Sequence, residues 1–130
     1  MPYLNLDDAY PDHPKVEALS DAAYRLHGSA MFYAARFRLD GYLTRAQLRA
    51  RSRWSTRTER ELMDGRLMHA PGEPCESRQC PADDGERYRL HDFLQWNKSR
   101  AWWDEQREKA AKRKADWQAK HANERGGEHG

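Results

Sequence analysis

Leu19, Ala23, Leu26, Ala30, Tyr33 and Phe37 recur at intervals of 4, 3, 4, 3 and 4 residues. That repeat lines up apolar side chains along one face of an α-helix and along neither face of a strand. A helix this long needs a surface on which to bury its stripe, and composition limits what that surface can be. Of 130 residues, 38% are hydrophobic and 34% charged, with a mean hydropathy of -1.19. Such a chain builds one modest core and leaves part of itself as solvated helix or tail. Ser20 is a good N-cap for the helix and Asp40-Gly41 closes it. Gly28 in its interior costs roughly 1 kcal/mol against alanine, which points to close packing of another element there.

Two capping boxes follow. Thr44-Arg45-Ala46-Gln47 starts a short helix reaching about Ala50, and Thr56-Arg57-Thr58-Glu59 starts another that Gly65 ends. The linker of residues 51–55 forces a tight corner between them, the pattern of a helix-turn-helix. Residues 44–60 hold six arginines (Arg45, Arg49, Arg51, Arg53, Arg57, Arg60) against Glu59, a local net of +5 in a chain whose total is +2. On the second helix Arg57 and Arg60, with Arg53 extrapolated back into the turn, fall on one edge, and Thr58 and Leu62 on the other. An arginine edge opposite an apolar edge suits a helix that sits in a groove while packed on a core. The alternative is a solvated charged face.

Arg66-Leu67-Met68-His69 reads as a strand and Tyr88-Arg89-Leu90 as its return, with a proline- and glycine-rich loop between them. The hairpin would be a wing, touching phosphates through Arg78, Arg87 or Arg89. The expected fold is therefore mainly α with a small β-hairpin wing: a winged helix-turn-helix plus a C-terminal helical extension. Residues 1–98 form the DNA-binding domain, residues 99–125 the C-terminal helix and residues 126–130 a disordered tail. Tyr3-Leu4-Asn5-Leu6 is a short strand or extended arm, and Pro11 and Pro14 hold the next stretch out of helix.

His69, Glu73, Cys75 and Cys80 form a candidate zinc set in the wing, since Cys75 and Cys80 enclose four residues, a spacing a loop can close. His91 fits poorly as a ligand, because antiparallel pairing sets it opposite about Arg66, below the wing tip. Free thiols or a reversible disulfide are the alternatives. His91-Asp92 is expected as a hydrogen-bonding pair at a strand end. Phe93, Leu94 and Trp96 cover the core, and Ser99 caps the final helix. That helix places Trp103, Ala110 and Trp117 at heptad spacing and offers Trp102, Trp103 and Trp117 as partner-binding anchors.

His13-Pro14-Lys15-Val16 with Leu19-Ser20-Asp21-Ala22-Ala23-Tyr24-Arg25-Leu26-His27, Leu62-Met63-Asp64-Gly65-Arg66-Leu67, and His91-Asp92-Phe93-Leu94-Gln95-Trp96-Asn97-Lys98-Ser99-Arg100 carry a resemblance. Over residues 3–107 the chain resembles small winged-helix DNA-binding proteins of actinobacteria and their phages. These are similar to the N-terminal domains of phage replication initiators and replisome organisers. The resemblance implies replication initiation or regulation. Nothing after Arg107 looks like the helicase-loader-binding domain that replisome organisers append.

Function is thus expected to be double-stranded DNA binding. Arg53, Arg57 and Arg60 read or clamp the major groove, while Arg45, Arg49, Arg51 and Arg78 hold phosphates. The alternative is a protein-interaction module that engages a host or phage protein through the C-terminal helix, with DNA incidental. A further alternative is that the same helix joins two copies in a homodimer. No P-loop, GxGxxG or HExxH motif is present and no nucleophile is placed beside a base, so an enzyme is not expected. No stretch reaches the ~20 apolar residues of a membrane span. The expected location is the bacterial cytoplasm, at the nucleoid.

Overall fold

The computed structural model describes residues 3–128, with side chains as far as Ala122. The chain divides into two compact units, one ending at Ser99 and one beginning at Arg100.

In the first unit an extended arm leads through a 3-10 turn (Tyr10–Asp12) into α1 (Pro14–Glu17). Both prolines stand at the start of a helical turn, where a missing N–H costs nothing. They initiate helix here, contrary to the expectation that they hold the chain out of it. The arm is not a strand; the Asn5 amide is tied to Asn97 Oδ1 at 2.8 Å.

Helix α2 (Asp21–Arg36) begins at Ser20, whose hydroxyl accepts from the Ala23 amide. It buries Ala23, Leu26, His27, Ala30, Met31 and Ala34. The apolar stripe is therefore right over its first half and drifts over its second. A helix of 3.6 residues per turn brings Ala34 rather than Phe37 onto the core. Phe37 lies beyond the last turn, 49% exposed, with its ring 4.8 Å from Tyr33. Nothing packs against Gly28, where an added Cβ would meet no atom within 4 Å. The glycine instead lines an open groove with Leu6, Tyr24 and Phe32.

Three strands follow in the sequence: β1 (Tyr42–Leu43), β2 (Met68–His69) and β3 (Tyr88–Leu90). They form one antiparallel sheet in the order β1-β3-β2, with Tyr42 opposite Arg89 and Met68 opposite Leu90. Between β1 and β2 lie α3 (Arg45–Arg49) and α4 (Thr56–Asp64). A short α5 (Phe93–Trp96) closes the unit. The core joins Leu26, Ala30 and Ala34 of α2 to Leu43, Leu48, Leu62, Met68, Tyr88, Leu90 and Phe93, one or two from each element. Leu94 packs at its edge, whereas Trp96 is 48% exposed and does not cover the core as expected. The described chain is mainly helical with a small three-stranded antiparallel sheet.

Helix α6 (Arg100–Glu128) is the second unit and carries a Glu105–Lys109 ion pair at 3.0 Å. The tail expected at residues 126–130 falls partly in this helix, and His129 and Gly130 lie outside the described residues. Among the described residues no helix is long and apolar enough to cross a membrane.

Candidate nucleic-acid interface and metal centre

Helices α3 and α4 meet at a corner whose geometry is set by side-chain hydrogen bonds. Thr44 caps α3 in the expected box with Gln47. Helix α4 is capped one residue earlier than expected. Ser55 Oγ accepts from the Thr58 amide at 3.1 Å, and Thr58 Oγ1 accepts from the Ser55 amide at 2.9 Å. Threonine takes the place usually held by Glu or Gln, and its hydroxyl also donates to the Arg53 carbonyl at 2.9 Å. That leaves Thr58 buried and Thr56 exposed.

Two further ties fix the corner on α2. The Ser52 amide donates to Ser29 Oγ at 3.1 Å, and Arg25 Nε donates to Ser52 Oγ at 2.8 Å. Glu61 of α4 takes both the amide and the hydroxyl of Ser20, at 3.0 and 2.8 Å. Those bonds hold its carboxyl below the usual range. With Leu62 buried and Glu61 clamped to the start of α2, α4 cannot roll. Its other edge faces outward with Arg57 and Arg60 exposed.

The six arginines divide by use. Arg45, Arg53, Arg57 and Arg60 are exposed and form no ion pair among the described residues. Arg49 is also exposed and stands over the Trp54 ring at 5.2 Å. Trp54 packs half-buried on the core and donates to Glu59 Oε1 at 3.3 Å. Arg51 differs: its Nε donates to the Gln47 carbonyl and its guanidinium lies 3.7 Å from the Tyr33 ring centroid. It is a packing residue more than a phosphate holder. Arg53 sits before α4 with a φ of 63°, in the left-handed region, so helical extrapolation does not give its direction.

The wing contributes less positive charge than expected. Residues 71–87 hold five acids (Glu73, Glu76, Asp83, Asp84, Glu86) against Arg78 and Arg87. Arg78 is exposed, but Arg87 pairs with Asp84 at 2.6 Å. Arg89 is buried, donating to the carbonyls of Glu73 and Pro81 beneath the loop. It cannot meet phosphate.

The base of the same loop gathers His69, Cys75, Cys80 and His91, whose ligand atoms lie within 4.8 Å of one another. His69 Nε2 is 2.9 Å from His91 Nδ1, and Cys75 Sγ is 3.6 Å from that same nitrogen. His91 thus holds the place expected for Glu73. The sheet register brings His91 there. His69 lies opposite Arg89, while the His91 amide bonds to the Leu67 carbonyl, so His69 and His91 are diagonal neighbours on one face. Glu73 stands behind the cluster, its Oε1 at 3.8 Å from His69 Nδ1 and its Oε2 accepting from the Ala70 amide. Asp92 plays the matching part for His91, with Oδ2 at 3.3 Å from Nε2. Its other oxygen takes the Ser77 hydroxyl.

Burial lowers the pKa of both imidazoles and pushes the Cys80 thiol up to about 11. Burial thus favours the neutral forms of His69, His91 and Cys80. The cluster can hold a metal ion. In α6, Trp102 and Trp103 meet edge to face at 5.0 Å, and Trp117 is 58% exposed, stacked on His121 at 3.9 Å.

No family model, curated protein or solved structure matches this chain.

Proposed function

We propose that the chain is a winged-helix protein that binds double-stranded DNA with α4 in the major groove. The observation that carries this is the outward edge of the α3–α4 corner. Five exposed arginines lie along it, Arg45 and Arg49 on α3, Arg53 in the turn, and Arg57 and Arg60 on α4, whose opposite side is locked by Leu62 and Glu61. Rigid presentation of planar cationic groups suits bidentate contact with guanine edges and phosphates. The winged-helix reading is further supported by element order. A helix, a strand, two short helices and a hairpin, with β3 between β1 and β2, form the arrangement that such proteins use. The acidic loop argues that α3 and α4 make the contacts and that the wing tip stays off the phosphates. A role in phage or prophage replication or regulation rests on the sequence resemblance alone.

Fluorescence anisotropy of a labelled random duplex tests the reading. If the five arginines each neutralise a phosphate, log affinity falls with log salt at a slope of about -4.5, about 500-fold between about 50 and 200 mM. Replacing Arg57 and Arg60 by alanine reduces that slope by about 2. No binding at low salt, or an unchanged slope in the double variant, would overturn it. The second reading, a protein partner held by α6, is favoured by the exposure of Trp117 on a polar helix.

A further inference from the structure

We propose that His69 Nε2, Cys75 Sγ, Cys80 Sγ and His91 Nδ1 bind one Zn2+ ion in a closed tetrahedral site that staples the wing loop to its sheet.

Distance is the first support. Four ligands around zinc at bond lengths of about 2.0–2.3 Å stand about 3.3 Å apart for two nitrogens, 3.6 Å for nitrogen and sulfur and 3.8 Å for two sulfurs. The Cys75–His91 separation of 3.6 Å matches, and the His69–His91 separation of 2.9 Å needs only a slight opening. The remaining pairs lie within 4.8 Å of one another, close to the separations that one ion requires.

Donor chemistry is the second. Two thiolates and two imidazoles select a borderline-soft tetrahedral ion, and a full set of four protein ligands leaves no open position for catalysis. Binding displaces a proton from each thiol, so the ion and the two thiolates together are neutral and two protons leave to solvent.

The third support is the surroundings. With Nε2 on the metal, His69 carries its proton on Nδ1, a buried atom that has no hydrogen-bond partner and faces Glu73 Oε1 at 3.8 Å. With Nδ1 on the metal, His91 turns Nε2–H toward Asp92. A carboxylate stands behind each imidazole, where a hydrogen bond to the N–H would fix the tautomer and raise the basicity of the ligand once metal is bound.

The loop itself supplies the need. Residues 70–87 contain no helix or strand, and only Cys80 and Pro81 among them are buried. Irregular loops this long are uncommon in compact domains, and this one has little apolar burial of its own.

The full chain, purified under reducing conditions and dialysed free of excess metal, is assayed for zinc by elemental analysis. It is then titrated with Co2+ while its visible spectrum is followed. One equivalent of zinc and intense tetrahedral cobalt bands with thiolate charge transfer are expected. His91→Ala loses the metal, while Glu73→Gln keeps one equivalent at an affinity lowered about 10- to 100-fold. The cobalt spectrum of the unaltered chain serves if a ligand variant fails to fold. No zinc bound by the reduced chain, an octahedral cobalt spectrum, or loss of metal in Glu73→Gln with retention in His91→Ala would each overturn the assignment. A Cys75–Cys80 disulfide that persists under reduction would do the same.

Discussion

His27 lies in the middle of α2 with 5% of its surface exposed, and its Nδ1 shares a hydrogen bond with the Tyr10 hydroxyl at 2.5 Å. Burial moves its pKa from 6.5 down to about 4. The unfolded chain therefore takes up a proton near pH 6.5 that the folded chain refuses until about pH 4. Stability is full above the higher value and falls as the pH drops through the window. From linkage the loss is about 2 kcal/mol at about pH 5 and about 3 kcal/mol once both states are protonated. Urea unfolding followed by circular dichroism at several pH values measures it, in the unaltered chain and in His27→Phe. His69 and His91 are also lowered by burial and add acid sensitivity of the same sign, but equally in both chains. The difference between the two curves isolates His27. Because desolvation rather than the Tyr10 bond causes the shift, Tyr10→Phe should keep the sensitivity. Parallel pH profiles for the unaltered chain and His27→Phe would refute the reasoning.

Ser55→Ala should cost about 1 kcal/mol by removing the cap of α4, while Thr56→Ala stays within about 0.5 kcal/mol. Chemical denaturation of the two variants decides which residue caps the helix. Gly41→Ala should lower stability by at least about 1–3 kcal/mol. Gly41 has a φ of 88°, and a Cβ there would stand 2.8 Å from Phe93 Cβ and 2.9 Å from Pro81 Cγ. A thermal melt of that variant matching the unaltered chain would contradict this packing.

Local signals carried far in this chain. Ser20, Thr44 and Gly65 mark helix ends in sequence and in structure, because each solves a backbone problem within three or four residues. Ser55 was hidden because its partner is Thr58, and a search for Glu or Gln at the third position passes over it to Thr56. Strand β1 was illegible for a different reason. Two residues give no alternation, and the bonds that make Tyr42–Leu43 a strand come from β3. The metal cluster fell between these cases. Cys75 and Cys80 announce themselves by spacing, but His91 joins through a register that differs by one residue from the expected one. That single step separates a distant histidine from a diagonal neighbour. Arg89 shows the limit of reading charge from sequence, since an arginine expected at the DNA surface lies beneath the loop and satisfies its carbonyls.

The strand order has a consequence for how the chain assembles itself. The central strand of the sheet is the last to be synthesised. Met68 and Leu90 are 22 residues apart, Tyr42 and Arg89 47. By length alone the second closure costs only about 0.7 kcal/mol more than the first. The nearer pair therefore has only a slight lead in closing. During translation at about 5–20 residues per second, β1 waits about 2–9 s as an open edge before its partner leaves the ribosome. Any chain cut short before Tyr88 holds two strands that never bond to each other, and so no sheet at all.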